Sequence, residues 1–295
     1  MDNNKKEQRA LRFAKKKQKF LSHPIACGIW LMIWGFLVQS YIGGAGIRVI
    51  LEGILKGAGM SFEGKASDIL SAVCIVIMSL LMLLIHKLYF RPEYKGSFRK
   101  EGLKEKGVII AIVLFFLLDA VITVIEMKRM GFSAPSLYTL TIALMAGIGE
   151  ETLYRVLPVS AMMYKGKEKE TYMPALIVSS VVFGLIHLSN IVSGAAVPVT
   201  ILQVISAGIT GLFLCALYLR SGNILWPMLV HFVHDMMSFS IATQSTGILT
   251  MELTAADYVE AGIISAAEII LTIWLLKGKK EQIIAVWKER WSDTF

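Results

Sequence analysis

The sequence predicts an all-α membrane protein, a polytopic transmembrane helix bundle of about eight helices with both termini in the cytoplasm. Of its 295 residues, 55% are apolar, against roughly 45–50% in soluble domains. The apolar residues fall into long blocks, each near the ~20 residues that cross the hydrocarbon core. Lys and Arg lie almost wholly between these blocks, which is typical of membrane orientation. The net charge of +8 therefore does not indicate a nucleic-acid partner.

A basic arm, residues 1–22, precedes the first apolar block, and only Asp2 and Glu7 oppose its lysines and arginines. Such a stretch beside a membrane helix is attracted to anionic lipid. The largely polar segment ahead of the block, about two dozen residues, is too long for the n-region of a signal peptide, and no A-x-A-like cleavage site follows. We therefore expect the arm to be kept as a cytoplasmic anchor.

Eight apolar blocks follow the arm, and a semi-polar stretch at 46–60 predicts an interfacial helix. With the N-terminus inside, the predicted inner segments hold 24 of the 30 basic residues, the outer loops hold five, and Arg155 is the remaining one. This asymmetry favours an even number of spans and two cytoplasmic ends. The blocks cover about 25–44, 68–89, 107–127, 136–163, 172–194, 197–219, 224–243 and 257–276.

Small residues inside the blocks indicate packing rather than chemistry. Gly184, Gly208 and Gly211 lie where Gly, Ser and Ala recur, and such residues let helices approach closely in lipid.

The cysteines stand singly, without CxxC spacing, so the sequence predicts neither a disulfide framework nor a thiolate metal site. They are Cys27, Cys74 and Cys215.

The block at 136–163 contains three charged residues, Glu150, Glu151 and Arg155. A charge near the bilayer centre costs roughly 2.5–3.5 kcal/mol on insertion scales, so three charges on one helix need a compensating reason. Glu151 and Arg155 are four residues apart and share a helix face, which predicts an ion pair. Glu150 lies about 100° around the helix without a cation of its own, which makes it a candidate general base.

Two later blocks carry the complementary imidazoles. His187 lies one turn after Phe183, while His231 shares a face with Asp235 and has His234 one turn away. A single intramembrane histidine is more often a hydrogen-bond donor between helices than a catalyst, and Phe183 alone indicates packing. Costly acid or imidazole groups on three separate helices, however, form a coherent set for acid–base chemistry.

Three motifs, each on its own predicted helix and in a fixed order, resemble those of a known family. The family is that of the CAAX-processing and bacteriocin-processing intramembrane endopeptidases (CPBP or Abi), whose motifs read EExxxR, FxxxH and HxxxN. The matching residues are Glu150-Glu151-x-x-x-Arg155, Phe183-x-x-x-His187 and His231-x-x-x-Asp235. The resemblance covers about residues 136–243.

The resemblance implies a membrane endopeptidase acting on a peptide or membrane-tethered protein, and it implies roles for the motif residues. Glu150 is expected to be the general base that activates a water, with His187 orienting and polarising that water. Glu151 and Arg155 are expected to brace the helix and hold Glu150 in place. Peptide hydrolysis needs a nucleophilic water and a base of suitable basicity, so these residue types suit the reaction.

The last motif departs from the family pattern at Asp235, where the family often has Asn. The resemblance assigns His231 and this position to stabilising the oxyanion of the tetrahedral intermediate. An ionised Asp only accepts hydrogen bonds, whereas Asn donates them. Asp235 is therefore expected to orient His231, and to donate to the oxyanion only if it is protonated.

The cofactor prediction favours none, with zinc as the alternative. Glu150, His187 and His231 are an acceptable oxygen–nitrogen ligand set for zinc, with His234 or Asp235 as a fourth ligand. The HExxH motif, which places two ligands and a base on one helix, is absent from the sequence. The oligomeric state is not predicted.

Two other classes of function remain open. Buried acids and histidines also suit a proton-coupled transporter, but that class predicts inverted halves with interrupted helices, which the sequence does not display. A membrane scaffold or immunity protein would keep the fold without turnover. Asp119 and Glu268 each stand alone in an apolar block, and we interpret them as polar contacts within the bundle or, less favoured, as pathway residues.

The predicted organisation has four parts. A basic arm at 1–22 is followed by N-terminal transmembrane helices at 23–134. The CPBP-like catalytic core is expected at 135–245, and the final helix with a cytoplasmic tail at 246–295.

Overall fold

The computed structural model describes residues 2–60, 63–243 and 252–292, and this part of the chain is helical without a β-sheet. Three π-helical stretches, Val38–Ile47, Ala146–Glu150 and Thr152–Val156, continue α-helices instead of ending them. The α-helices are α1 (Asp2–Leu21), α2 (Pro24–Leu37), α3 (Arg48–Gly57), α4 (Lys65–Tyr89), α5 (Lys106–Met130), α6 (Leu137–Met145), α7 (Leu157–Glu168), α8 (Met173–Ile186), α9 (Ser189–Val192), α10 (Val197–Ser221), α11 (Leu225–Ser238), α12 (Ala255–Leu276) and α13 (Lys280–Arg290).

Six helices of the described chain are long and apolar enough to cross a membrane, so the protein is a multi-pass helical membrane protein. Two further predicted blocks are helical but lack the length or the apolar character of these six. The helix through α6 and α7 carries charged residues, and α11 has only 14 residues. The total of eight spans and the cytoplasmic termini therefore stay predictions. The six spans are Pro24–Gly57, Lys65–Tyr89, Lys106–Met130, Met173–Val192, Val197–Ser221 and Ala255–Leu276.

The expected interfacial helix at 46–60 is not a separate element. The first span runs from Pro24 to Gly57, because the wide turns of Val38–Ile47 join α2 to α3 without a loop. Glycine recurs in that stretch, which reads VQSYIGGAGI, and π turns are frequent at functional sites.

Helix α5 displays the two faces expected of a span at the edge of the bundle. Ile110, Leu114, Leu117 and Val121 recur every three or four residues and are about half exposed or more. Ala111, Phe115, Asp119 and Ile122 lie on the other side and are buried. An apolar stripe of this kind faces lipid in a membrane protein, since lipid and not water is its solvent.

The core is built around α10, which packs against α8, α11, α12 and α13. The contact between α8 and α10 depends on residues without side chains. A methyl group at Gly184 would lie 2.6 Å from the carbonyl oxygen of Val204, and one at Gly211 would lie 3.0 Å from Cα of Ser180. The close packing predicted from these glycines is confirmed.

The continuous helix from Leu137 to Glu168 packs against α2, α4 and α11. It begins at a capping box, in which Ser136 and Thr139 bond each other's backbone N–H. Its α6 end packs on α4, and its α7 end packs on α2. Its middle meets α11 at Gly147, where a methyl group would lie 2.8 Å from the carbonyl oxygen of Met228.

The N-terminal arm and the segment that includes α13 are both held to the rest of the bundle by buried polar contacts. Trp291 is fully buried and donates its indole N–H to the carbonyl of Ser160 on α7, 3.0 Å away. Trp287 donates to the carbonyl of Leu219 on α10 at 3.1 Å. Lys17 of the N-terminal arm forms a buried ion pair with Glu93, 2.9 Å apart. The predicted boundary at 245/246 lies outside the described residues.

Candidate active site

The two glutamates lie where the helix leaves regular α geometry. Glu150 ends the π stretch Ala146–Glu150, and Arg155 lies within the next one, Thr152–Val156. A π turn adds one residue to the turn and redirects the side chains that follow it. Glu150 and Glu151 consequently project from an irregular part of the helix, and the structure describes no loop between α6 and α7.

Glu151 and Arg155 form the predicted ion pair, with Nε of Arg155 3.3 Å from Oε2 of Glu151 and both side chains completely buried. Arg155 also donates from Nη2 to the carbonyl of Gly211 at 3.4 Å. Its guanidinium lies 4.2 Å from the ring centre of Phe183, a cation–π contact. This arginine thus connects the glutamate helix with α8 and α10.

His231 is held by Glu151 and faces Glu150. Its Nδ1 donates to Oε1 of Glu151 at 2.8 Å, so the ring orientation is fixed by a carboxylate that is itself paired with Arg155. The other ring nitrogen, Nε2, lies 3.9 Å from Oε2 of Glu150 and 3.8 Å from Oδ2 of Asp235. Asp235, expected from the sequence to orient this ring, lies beyond hydrogen-bond distance, and Glu151 makes that bond instead.

His187 terminates α8 and is half-buried. Its Nδ1 donates to the carbonyl of Phe183 at 2.9 Å, which leaves Nε2 of the neutral ring as an acceptor. The Phe183 ring lies edge-on to both imidazoles, with centroids 5.2 Å from His187 and 5.7 Å from His231. Phe183 therefore spaces the two histidines as well as filling the core.

A cavity of about 210 Å³ opens beside Glu150. Glu150 and His187 both line it, together with Tyr154 and side chains from α2, α4 and α8. Most of the lining is apolar, including Phe36 and Ile75. A largely apolar pocket with a few converging polar groups is the usual form of a substrate site.

Glu150 and His187 line this cavity, and the other four candidate catalytic residues are linked to Glu150 through the contacts of His231, although the six come from three helices far apart in sequence. The convergence that the motifs predicted is thus present in the geometry, while the role of each residue stays a prediction. The six are Glu150, Glu151, Arg155, His187, His231 and Asp235.

Two acids that the sequence suggested were solitary are parts of a second polar cluster. Asp119 on α5 accepts a hydrogen bond from Nδ1 of His234 on α11 at 2.9 Å. Glu268 on α12 is fully buried, and its charge acts on the same histidine and on Asp119. The interpretation of Asp119 and Glu268 as polar contacts within the bundle fits this geometry. The expectation that each acid stands alone was wrong, because spacing within one helix does not reveal partners on other helices.

Of the residues that line the cavity, sequence reasoning predicted only Glu150 and His187, and the polar side chains that it missed include Tyr154 and Gln39. Tyr154 was available from the pattern, because it lies four residues after Glu150. Gln39 was not, because it belongs to the first span and carries no motif. The one feature of the sequence that could have indicated Gln39 is its polar amide inside an apolar block, because such side chains often form hydrogen bonds between helices in membranes.

The zinc alternative required Glu150, His187 and His231 to surround a common point. Among the residues that the structure describes, no three His, Cys, Asp or Glu side chains are grouped so as to hold a metal ion. The donor set therefore does not fit a zinc ion in this arrangement.

Fold and site together define a class, a multi-pass helical membrane protein with an acid–imidazole site formed by three helices. Residues 132–237, a little over a third of the chain, match the family model described as Type II CAAX prenyl endopeptidase Rce1-like. The match spans all three motifs and confirms the family resemblance, that of a CAAX-type membrane protease. No curated protein and no solved structure matches the chain.

Proposed function

We propose that the protein is an intramembrane endopeptidase in which Glu150 activates a water for attack on a peptide bond. The observation that supports this most is the close approach of three ionisable groups within the bundle: Glu150 and His187 line one cavity, and Nε2 of His231 lies 3.9 Å from Oε2 of Glu150. Burying such groups is costly in lipid, and intramembrane ionisable residues most often mark function.

The water is activated by Glu150 and His187. Glu150 accepts one proton from the water while the oxygen of that water forms a bond to the carbonyl carbon of the substrate. Nε2 of His187 accepts a hydrogen bond from the second O–H, because its Nδ1–H is given to Phe183. The attacking oxygen is thereby held between two acceptors that both face the cavity.

His231 stabilises the negative charge that develops on the carbonyl oxygen. With Nδ1–H given to Glu151, a proton on Nε2, the ring nitrogen that faces Glu150, makes this atom the donor to the carbonyl oxygen. Asp235, 3.8 Å from Nε2, acts on the ring by its charge. Collapse of the intermediate breaks the C–N bond, and the proton held by Glu150 passes to the leaving amine.

The substrate is a peptide or a membrane-tethered protein cleaved near the bilayer, and the protein acts in the plasma membrane of a bacterium. The matched family supports a CAAX-type substrate. A bacterial setting equally favours leader or signalling peptides, so both classes belong in the assay.

The test uses the purified full chain in detergent micelles with two quenched-fluorescent peptide pools, one farnesylated and ending in CAAX, the other unmodified leader-type peptides. Glu150→Gln and His187→Ala are expected to lower kcat by about 10²–10⁴-fold. The matched control is His234→Ala, an imidazole of the same helix as His231 that points to Asp119. We expect that control to keep kcat within a few-fold. Near wild-type rates in both Glu150→Gln and His187→Ala would refute the catalytic assignment.

Chelation distinguishes this mechanism from its zinc-dependent version. We expect a chelator to leave the rate of cleavage unchanged, because no three His, Cys, Asp or Glu side chains in the described part of the chain are grouped so as to hold a metal ion. Loss of cleavage after chelation, restored by zinc and not by other divalent ions, would establish the zinc enzyme instead.

A further inference from the structure

Gln39 contacts the backbone of the turn that carries Glu150. It lies in the π stretch Val38–Ile47 of the first span, far outside the family-matched segment 132–237. Its amide nitrogen donates to the carbonyl of Gly149 at 3.0 Å and to Oγ of Ser79 at 2.7 Å. Ser79 gives its own proton to the carbonyl of Ile75, so its oxygen is the acceptor for Gln39.

These bonds fix the Gln39 side chain at both of its N–H groups. An amide has two N–H donors and one carbonyl acceptor, and both donors are used. Gln39 lines the same cavity as Glu150 and is only 6% exposed. Its carbonyl oxygen has no hydrogen-bond partner among the described residues, so it is available to a molecule in the cavity.

The contact with Gly149 is close as well as polar. A methyl group at Gly149 would lie 3.1 Å from Nε2 of Gln39. Because residue 149 lacks a side chain, the amide reaches the peptide group that leads directly into Glu150. A hydrogen bond to that carbonyl limits the rotation of the peptide plane, and hence the direction in which the Glu150 carboxylate points.

We propose that Gln39 is a positioning residue for Glu150 and, through its carbonyl oxygen, an acceptor for a backbone N–H of the peptide substrate. The inference rests on the proposed function, and it adds a substrate contact from the N-terminal span. An extended peptide supplies such N–H groups along its length, whereas the apolar lining accommodates its side chains. Gln39 thereby couples the N-terminal span, which the family match does not cover, to the reaction.

The alternative is that Gln39 only joins helices, as polar side chains often do in membranes. A matched control is Gln203, another glutamine of the bundle, which does not itself line the cavity, although Asn190, its hydrogen-bond donor at 2.9 Å, does. Gln39→Met and Gln203→Met remove the same groups from two helices. A merely structural role predicts similar losses of thermal stability and no specific change in catalysis for either variant.

The experiment measures kcat, KM and the unfolding temperature of the full chain in micelles, with the same peptide pools, for Gln39→Met, Gln203→Met and Gly149→Ala. We expect Gln39→Met and Gly149→Ala to lower kcat about 10- to 100-fold, as small misplacements of a catalytic group do. KM should also rise in Gln39→Met, whereas Gln203→Met should keep kcat within two-fold. Equal kcat in the two glutamine variants would overturn the inference.

A second measurement does not depend on turnover. Infrared difference spectroscopy follows the pH titration of the Glu150 carboxylate, whose band is identified by its loss in Glu150→Gln. Gln39→Met should displace the titration midpoint and Gln203→Met should not, and an unmoved midpoint would overturn the positioning role. If Glu150→Gln were fully active, the proposed function would fail by itself, while the spectroscopic result would still decide whether Gln39 positions Glu150.

Discussion

The buried ion pair of Glu151 and Arg155 holds side chains of two other helices in position at the site. Each residue alone would be costly inside the bundle, but together they satisfy part of each other's charge. Glu151 uses its second oxygen for His231, and Arg155 uses its guanidinium face for Phe183. The pair therefore sets the positions of an imidazole and an aromatic ring on two other helices.

Arg155→Met is expected to destabilise the fold by about 3–5 kcal/mol, because it leaves the Glu151 carboxylate without its buried cation. Chemical unfolding in micelles measures this change. The double variant Glu151→Gln/Arg155→Met should recover part of the loss, since neither charge then remains. A double variant as unstable as the sum of both single variants would argue that the two side chains do not interact.

Residue types and spacing predicted this pair and the motif residues, because four-residue spacing within one helix is visible in the sequence. Partners on other helices were not visible. The bond between Glu151 and His231 joins residues 80 positions apart, and Asp119 finds His234 across 115 positions. Gln39 was not predicted for the same reason, because its hydrogen bond to Gly149 joins two helices that are distant in sequence.

At the scale of elements, the site depends on how closely α11 approaches the glutamate helix. Gly147 makes that approach possible, since a methyl group there would lie 2.8 Å from the carbonyl of Met228 and 2.9 Å from Cβ of Phe232. His231 follows Met228 by less than one turn, so this contact determines its distance from Glu151. Helix blocks were predictable from hydropathy, whereas the π turns were not, because they arise from packing rather than from composition.

Gly147→Ala should push α11 outward and lengthen the bond between His231 and Glu151. We expect kcat to fall by about 10²-fold with a smaller effect on KM. The matched control is Gly262→Ala on α12, where a methyl group would meet nothing within 4 Å. Unchanged kcat in Gly147→Ala would show that the approach of α11 is not limiting.

At the scale of the whole molecule, the C-terminal helix α13 closes one end of the bundle on the glutamate helix. Trp291 reaches the carbonyl of Ser160, and Trp287 reaches that of Leu219. Hydropathy alone predicted only a polar tail after the last span, because α13 is too short and too polar to cross a membrane. Trp287 of α13 and Trp291, which directly follows the helix, both belong to the core.

Trp291→Ala is expected to cost about 3–5 kcal/mol, as truncation of a fully buried aromatic side chain does. Trp291 has no exposed surface, whereas Trp274 on α12 is 48% exposed on an apolar face. Trp274→Ala, the matched control, should therefore cost much less in the same unfolding assay. Equal losses would contradict the claim that the burial of Trp291 gives it a larger share in stability than a tryptophan on the exposed face.

Chemical rescue of Glu150→Ala tests the central claim most directly, namely that Glu150 is the base that activates the water. Removing this side chain enlarges a cavity of about 210 Å³, which leaves room for formate to stand in for the carboxylate. We predict that Glu150→Ala is inactive and that formate restores measurable cleavage in it, but not in His187→Ala. Cleavage by Glu150→Ala at the wild-type rate without formate would contradict the account.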